Sequence, residues 1–91
     1  MVTPFTPDLK IDFDALSKLT DFYMACGAKG FFANCMSSEM YYLTNEERLA
    51  LAKHVVTQVK GAMPVVATGS FGETIEEKAE FAKKMYDTGV D

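Results

Sequence analysis

The sequence predicts an α/β fold, a partial (βα)8 barrel of about three βα units with parallel strands. Three observations lead there. Short β-branched or aromatic runs alternate with longer segments of helical periodicity. Two of those helical segments open with a Thr-x-x-Glu capping box, and each ends at a glycine. The whole unit of strand, loop, capped helix and glycine recurs about every 35 residues, a spacing that parallel strands require because their crossover usually holds a helix.

Val2-Thr3-Pro4-Phe5 reads as the end of a strand entering a turn, since Pro4 cannot donate a ladder hydrogen bond. Asp12 offers an N-cap oxygen to a first helix whose Phe13, Leu16, Leu19, Thr20 and Tyr23 share one face, and Gly27 stops it. After Gly30, Phe31-Phe32-Ala33-Asn34 is short and apolar, as expected for a second strand covered on both faces. A loop from Cys35 to Leu43 leads to Thr44-Asn45-Glu46-Glu47, the first capping box. In the helix that follows, Leu49, Ala52, Val56 and Val59 are expected inward, His54 falls on the opposite side as a solvated or interface histidine, and Gly61 closes the helix before Pro64. Pro64-Val65-Val66-Ala67-Thr68 is the third strand. Gly69-Ser70-Phe71-Gly72 then turns into the second box, Thr74-Ile75-Glu76-Glu77, opening a helix with Ile75, Ala79, Ala82 and Met85 or Tyr86 inward and Gly89 as its stop.

On this reading half a strand is missing in front, and a fourth would follow Val90-Asp91. The expectation is therefore that residues 1–91 are the amino-terminal fragment of a barrel domain of about 250 residues. Composition fits a globular chain, 48% apolar and 24% charged. Nine basic residues are scattered among thirteen acidic ones for a net charge of −4, which leaves no electrostatic footprint for nucleic acid. Asp8, Lys10, Asp12 and Asp14 interrupt the opening stretch, so neither a signal peptide nor a membrane partner is expected and a cytoplasmic location is the default. Cys26, Cys35 and the lone His54 have no metal-ligand spacing; the cysteines read as two small buried side chains in a reduced compartment, and no metal is expected.

In parallel α/β folds the side chains that do chemistry lie at the carboxyl ends of strands. Three patches qualify: Thr3-Pro4-Phe5, Cys35-Met36-Ser37-Ser38-Glu39 and Thr68-Gly69-Ser70. The middle one is richest in hydroxyls, and Ser37 and Ser38 can present Oγ and backbone N–H groups to a carboxylate or carbonyl oxygen. Spacing alone equally allows them to cap a turn. Residues 68–74 form a glycine-containing loop before a helix but lack the endings of phosphate or dinucleotide loops. Tyr41-Tyr42 reads either as part of a subunit contact or as a packed surface loop.

Gly30-Phe31-Phe32-Ala33-Asn34-Cys35-Met36-Ser37-Ser38-Glu39, followed by Leu43-Thr44-Asn45-Glu46-Glu47-Arg48, resembles the signature segment of the dihydrodipicolinate synthase and N-acetylneuraminate lyase family. Val2-Thr3-Pro4-Phe5 with Ile11-Asp12-Phe13-Asp14-Ala15-Leu16 is similar to that family's opening, and Pro64-Val65-Val66-Ala67 to its third strand. The likeness covers about the first third of a (βα)8 barrel. It implies a class I aldolase or lyase that holds pyruvate or a related 2-oxo acid as a Schiff base on a strand lysine, with no cofactor, in a homo-oligomer. Within the signature, Ser37 matches the hydroxyl that contacts the oxo acid's carboxylate, Ser38 stands in the same substrate-binding turn, and Gly30 and Glu39 are structural. Cys35 and Ser38 replace glycines, Met36 replaces a hydroxyl residue that relays a proton, and Phe71 stands where members often carry a small or amide residue. A Schiff-base lysine must be partly desolvated. All eight lysines fall on expected helices or their flanks, so no catalytic residue is expected within the fragment, which is inactive alone on this reading. The alternative is a small non-catalytic α/β binding or assembly module that pairs through its open strand edges.

Overall fold

Two parallel strands and three helices follow one another as α1 (Phe13–Ala25), β1 (Phe31–Asn34), α2 (Asn45–Val59), β2 (Val65–Ala67) and α3 (Ile75–Asp87). The structure, a computed structural model, describes residues 1–91. Between β1 and α2 lie two single-turn 3-10 helices, Met36–Ser38 and Met40–Tyr42. Phe31 pairs with Val65, Phe32 with Val66 and Asn34 with Ala67, with an irregularity between Phe32 and Asn34.

The parallel α/β class is therefore as expected, but the sheet has two strands and not three. The segment read as the end of a first strand makes only an isolated antiparallel bridge, Phe5 to Ile11. Its own turn explains this. Thr6 N donates to Lys10 O at 2.8 Å and Asp12 N to Pro4 O at 3.0 Å, with Leu9 at φ 63°. The Pro4 carbonyl and the Thr6 amide are thus taken up within residues 4–12 and are not available to a neighbouring strand.

The local signals hold. Asp12 caps α1 through Ala15 N, and Gly27, at φ 93°, lets Ala28 N reach Tyr23 O and Gly27 N reach Met24 O, the paired bonds of a Schellman turn. Thr44 and Glu47 form the reciprocal capping box on α2. On α3 only half the box forms: Thr74 accepts from Glu77 N, but the Glu77 carboxylate takes Glu73 N at 2.8 Å. Gly72 causes the change. Its backbone passes so close that a Cβ would lie 2.7 Å from Glu77 Cβ, which brings residue 73 within the carboxylate's reach.

The buried faces match those expected only in part. Leu16 and Thr20 are buried in α1, while Phe13 is exposed. In α2, Ala52 and Val59 are buried as expected, joined by Leu51 and Val55; Leu49 and Val56 are only half-buried. This helix is apolar over nearly half its circumference, and the sheet takes the middle of that arc, leaving Val56 to meet Gly89 behind α3. In α3 Met85 is buried as expected, joined by Phe81, whereas Ile75, Ala79, Ala82 and Tyr86 are exposed. Phe81 was missed because Glu80 and Lys83-Lys84 surround it; edge-on packing against Phe71, 5.4 Å between ring centroids, draws it inward. The two faces of the sheet differ as well. Phe31 and Val65 lie under the helices, but their neighbours Phe32 (47% exposed) and Val66 (42% exposed) face outward, so β1 is covered on one side only.

Neither cysteine is buried: Cys26 is exposed at the end of α1 and Cys35, leaving β1, is half-buried. His54 is half-buried between α1 and α2, with Nε2 2.7 Å from Ser17 Oγ and its ring 5.1 Å from Phe13. No helix is long and apolar enough to cross a membrane.

Candidate functional site

The carboxyl ends of β1 and β2 gather the three patches singled out in the sequence. Thr68 N donates to Asn34 O at 2.8 Å and Asn34 Nδ2 to Thr68 O at 3.3 Å, which ties the end of one strand to the end of the other. On the other side Thr3 Oγ1 donates to Ser38 O at 2.6 Å, and Thr3 N to the Glu39 carboxylate at 3.1 Å. Residues 35 and 36 positions apart are joined by these bonds. Through Glu39 they anchor the opening segment to the loop after β1.

That loop is two tight turns joined at a left-handed residue. Ser38 N donates to Cys35 O and Glu39 N to Met36 O, closing the first turn; Glu39 sits at φ 56°, ψ 37°; Tyr42 N then donates to Glu39 O, closing the second. A non-glycine residue in this region costs of order 1 kcal/mol, which the Glu39 carboxylate's bond to Thr3 helps to offset. Gly30 precedes β1, where a Cβ would stand 3.2 Å from the Pro64 carbonyl oxygen, the same oxygen that accepts from Phe31 N. Its smallness lets the two strands meet at their start.

The two serines differ in what they can offer. Ser38 is fully buried, and its hydroxyl donates to the Met1 carbonyl. Ser37 is exposed, with Oγ 3.1 Å from Cys35 Sγ. Cys35 Sγ also lies 3.4 Å from Ser38 Oγ. Partial burial raises the Cys35 thiol pKa, but hydrogen bonding from the Ser37 side chain, the charge of the Met1 ammonium group and the Ser37 backbone N–H outweigh it and bring it down to about 7. Beside them Asn34 is fully buried, and its Oδ1 has no hydrogen-bond partner.

Farther back, Arg48 links the loop to its surroundings, a role that sequence reading did not give it. Its Nε donates to Met40 O at 2.9 Å, its Nη1 to Asn45 Oδ1 at 2.7 Å, and its guanidinium carbon lies 3.7 Å from the centre of the Phe71 ring. The sequence signal was present: an arginine in the first turn of a helix opposes the helix dipole and needs some compensation. Phe71 itself is buried against Phe81 and Arg48 on the helix side.

All eight lysines are exposed, and none lies in β1 or β2. No three His, Cys, Asp or Glu side chains converge as a metal site would need. Tyr41 and Tyr42 are exposed, at 70% and 85%. The largest groove, about 570 Å³, lies elsewhere, between α1 and α2, where Phe13, Ser17 and His54 already satisfy one another.

Residues 1–91 match the family described as the dihydrodipicolinate synthetase family. A 4-hydroxy-tetrahydrodipicolinate synthase of Oceanobacillus iheyensis is 40% identical over 91 residues, which is 100% of this chain and 30% of the relative. The chain thus spans about 30% of the length of the curated relatives it matches. Among solved structures, a chloride-inhibited dihydrodipicolinate synthase from Acinetobacter baumannii complexed with pyruvate is similar over 100% of this chain and 31% of its own, with a TM-score of 0.91 at 26% identity. An N-acetylneuraminate lyase from Mycoplasma synoviae gives 0.83 at 26% identity, again over 100% of this chain and 31% of its own.

Proposed function

Because the chain belongs to the dihydrodipicolinate synthetase family, we propose that residues 1–91 form the amino-terminal part of a (βα)8 barrel that works as a Schiff-base aldolase or lyase on pyruvate or a related 2-oxo acid. Their share of that work is the carboxylate-binding loop of Ser37 and Ser38. The observation that carries this reading is the loop itself: Thr3, Ser38 and Glu39 spend their polar groups fixing its backbone, and Ser37 is left with an exposed hydroxyl at the carboxyl end of a strand. Ser37 Oγ–H donates to the carboxylate, while Ser38, whose hydroxyl is engaged, keeps the turn in place. A charge-assisted bond of this type contributes about 1.5–3 kcal/mol.

Three further features support a larger assembly. The bare pair Phe32 and Val66 gives the sheet an apolar face with nothing over it, and Ile75 and Tyr86 do the same for one side of α3. Asn34 Oδ1 is buried with no donor, an arrangement that costs about 1–3 kcal/mol until one is supplied. The length shared with relatives leaves about two thirds of a family-length chain to cover these surfaces. The reacting lysine belongs to that remainder, because an amine must be desolvated to be neutral near pH 7 and every lysine here is in water. Residues 1–91 alone are inactive on this reading. The pyruvate complex of the Acinetobacter baumannii relative supports a 2-oxo acid as the small-molecule partner.

Borohydride reduction in the presence of pyruvate tests the proposal. The 91-residue chain is expected to keep its own mass. A chimera in which it replaces the matching segment of the Oceanobacillus iheyensis relative is expected to be trapped as an adduct. An adduct on the short chain, or a folded chimera that traps nothing, overturns the assignment. In the chimera, Ser37→Ala is expected to weaken pyruvate binding about 10- to 150-fold.

A further inference from the structure

We infer that Arg48 is a positioning residue for the loop that carries Ser37, clamping it to the loop that follows β2. The inference rests on the proposed reading of that loop as the carboxylate site; the clamp itself is argued from geometry alone. Arg48 lies in the first turn of α2, where a cation opposes the helix dipole, and no carboxylate lies within ion-pair distance of it. Burial lowers its pKa from the ordinary value, with Tyr41 opposing the shift. A half-buried guanidinium without a counter-ion is destabilising unless other groups take up its donors and its charge.

Three groups do so, and each belongs to a different segment. The Met40 carbonyl is the acceptor that also closes the second turn of the Ser37 loop, since Leu43 N donates to it as well. Asn45 Oδ1 opens α2. The Phe71 ring, beneath the guanidinium, belongs to the loop after β2. Arg48 alone spans all three because its planar fork donates in two directions while its face rests on a ring, which a lysine ammonium cannot reproduce. Fixing Met40 O fixes the second 3-10 turn. Through Glu39, the left-handed joint between the turns, it also fixes the first, in which Cys35, Ser37 and Ser38 meet.

The thiol of Cys35 reports on that first turn, because its Sγ lies 3.1 Å from Ser37 Oγ and 3.4 Å from Ser38 Oγ and hydrogen bonding within the turn helps to depress its pKa. Iodoacetamide alkylation of the 91-residue chain as a function of pH, read peptide by peptide, follows Cys35, with exposed Cys26 as an internal control remote from the clamp. In Arg48→Ala the Cys35 midpoint is expected to rise from about 7 toward the ordinary thiol value near 8.5, with the Cys26 profile unchanged. Arg48→Lys is expected to give a smaller rise. A Cys35 midpoint that stays at its wild-type value in Arg48→Ala overturns the inference. Should that variant lose its helical circular dichroism, Arg48→Lys decides by the same criterion. A chimera that traps no pyruvate would remove the proposed function and leave this result standing, so the two ideas fail separately.

Discussion

Helices α2 and α3 start alike and end differently. Each follows a strand, each is preceded by a threonine whose hydroxyl caps the third helical amide, and each carries two glutamates in its first turn. Yet α2 buries Leu51, Ala52, Val55 and Val59, whereas α3 buries only Phe81 and Met85. The difference is one of neighbours. Both strands and both other helices pack on α2, while α3 has a partner on one side and leaves Ile75 and Tyr86 in water. Similar N-cap chemistry therefore starts both helices, and the surroundings decide how much of each becomes core.

The largest expected effect follows from that asymmetry. Leu51 is fully buried in the middle of the helix that packs on both strands and both other α-helices, so Leu51→Ala removes contacts at the centre of the core. Truncations of this kind cost about 2–5 kcal/mol. A chain of this size has a thin margin of stability. Loss of the cooperative urea transition is the expected outcome. A variant that keeps a wild-type midpoint would mean that α2 is not the centre of the core.

The same asymmetry marks what could be read from the sequence. Asp12, Thr44, Gly27 and the Val65–Ala67 run were legible because each acts on partners within a few residues. The buried faces were not, since six apolar residues spread over half of α2 define an arc and only the sheet chooses its centre. In α3 the sequence pattern pointed to Ile75, Ala79, Ala82 and Met85 or Tyr86; of these only Met85 is buried, and Phe81, about a third of a turn from Ile75, Ala79 and Ala82, joins it. At the site, the hydroxyl-rich loop after β1 was visible in advance. The division of labour between an exposed Ser37 and a buried Ser38 was not, because it depends on Met1 and Thr3, more than thirty positions away.

The helix caps sharpen the comparison at intermediate cost. Replacing an N-cap threonine by alanine costs about 0.5–2 kcal/mol. Thr44→Ala is expected near the upper end, because the reciprocal bond from Glu47 is lost with it and the turn it holds contains Arg48 and half-buried Leu49. Thr74→Ala is expected near the lower end: Glu77 keeps its bond from Glu73 N, and fraying of the exposed residues 75–80 leaves Phe81 and Met85 in place. Urea midpoints of the two variants check the order, and a reversed order would place more of the stability in α3 than its burial allows.

The smallest expected effect in the isolated chain is the most informative about its surroundings. Ile75 is 83% exposed and Tyr86 69% exposed, so Ile75→Asn and Tyr86→Ser are expected to shift stability by no more than about 0.5 kcal/mol. In the chimera with the Oceanobacillus iheyensis relative the same residues are expected to lie beneath further polypeptide, where losing a large apolar side chain costs about 1.5–3 kcal/mol. Urea unfolding of the variants in both settings gives the contrast. An equal, small change in the two would show that this side of α3 remains in water in the chimera as well, and that its apolar spacing serves no packing purpose.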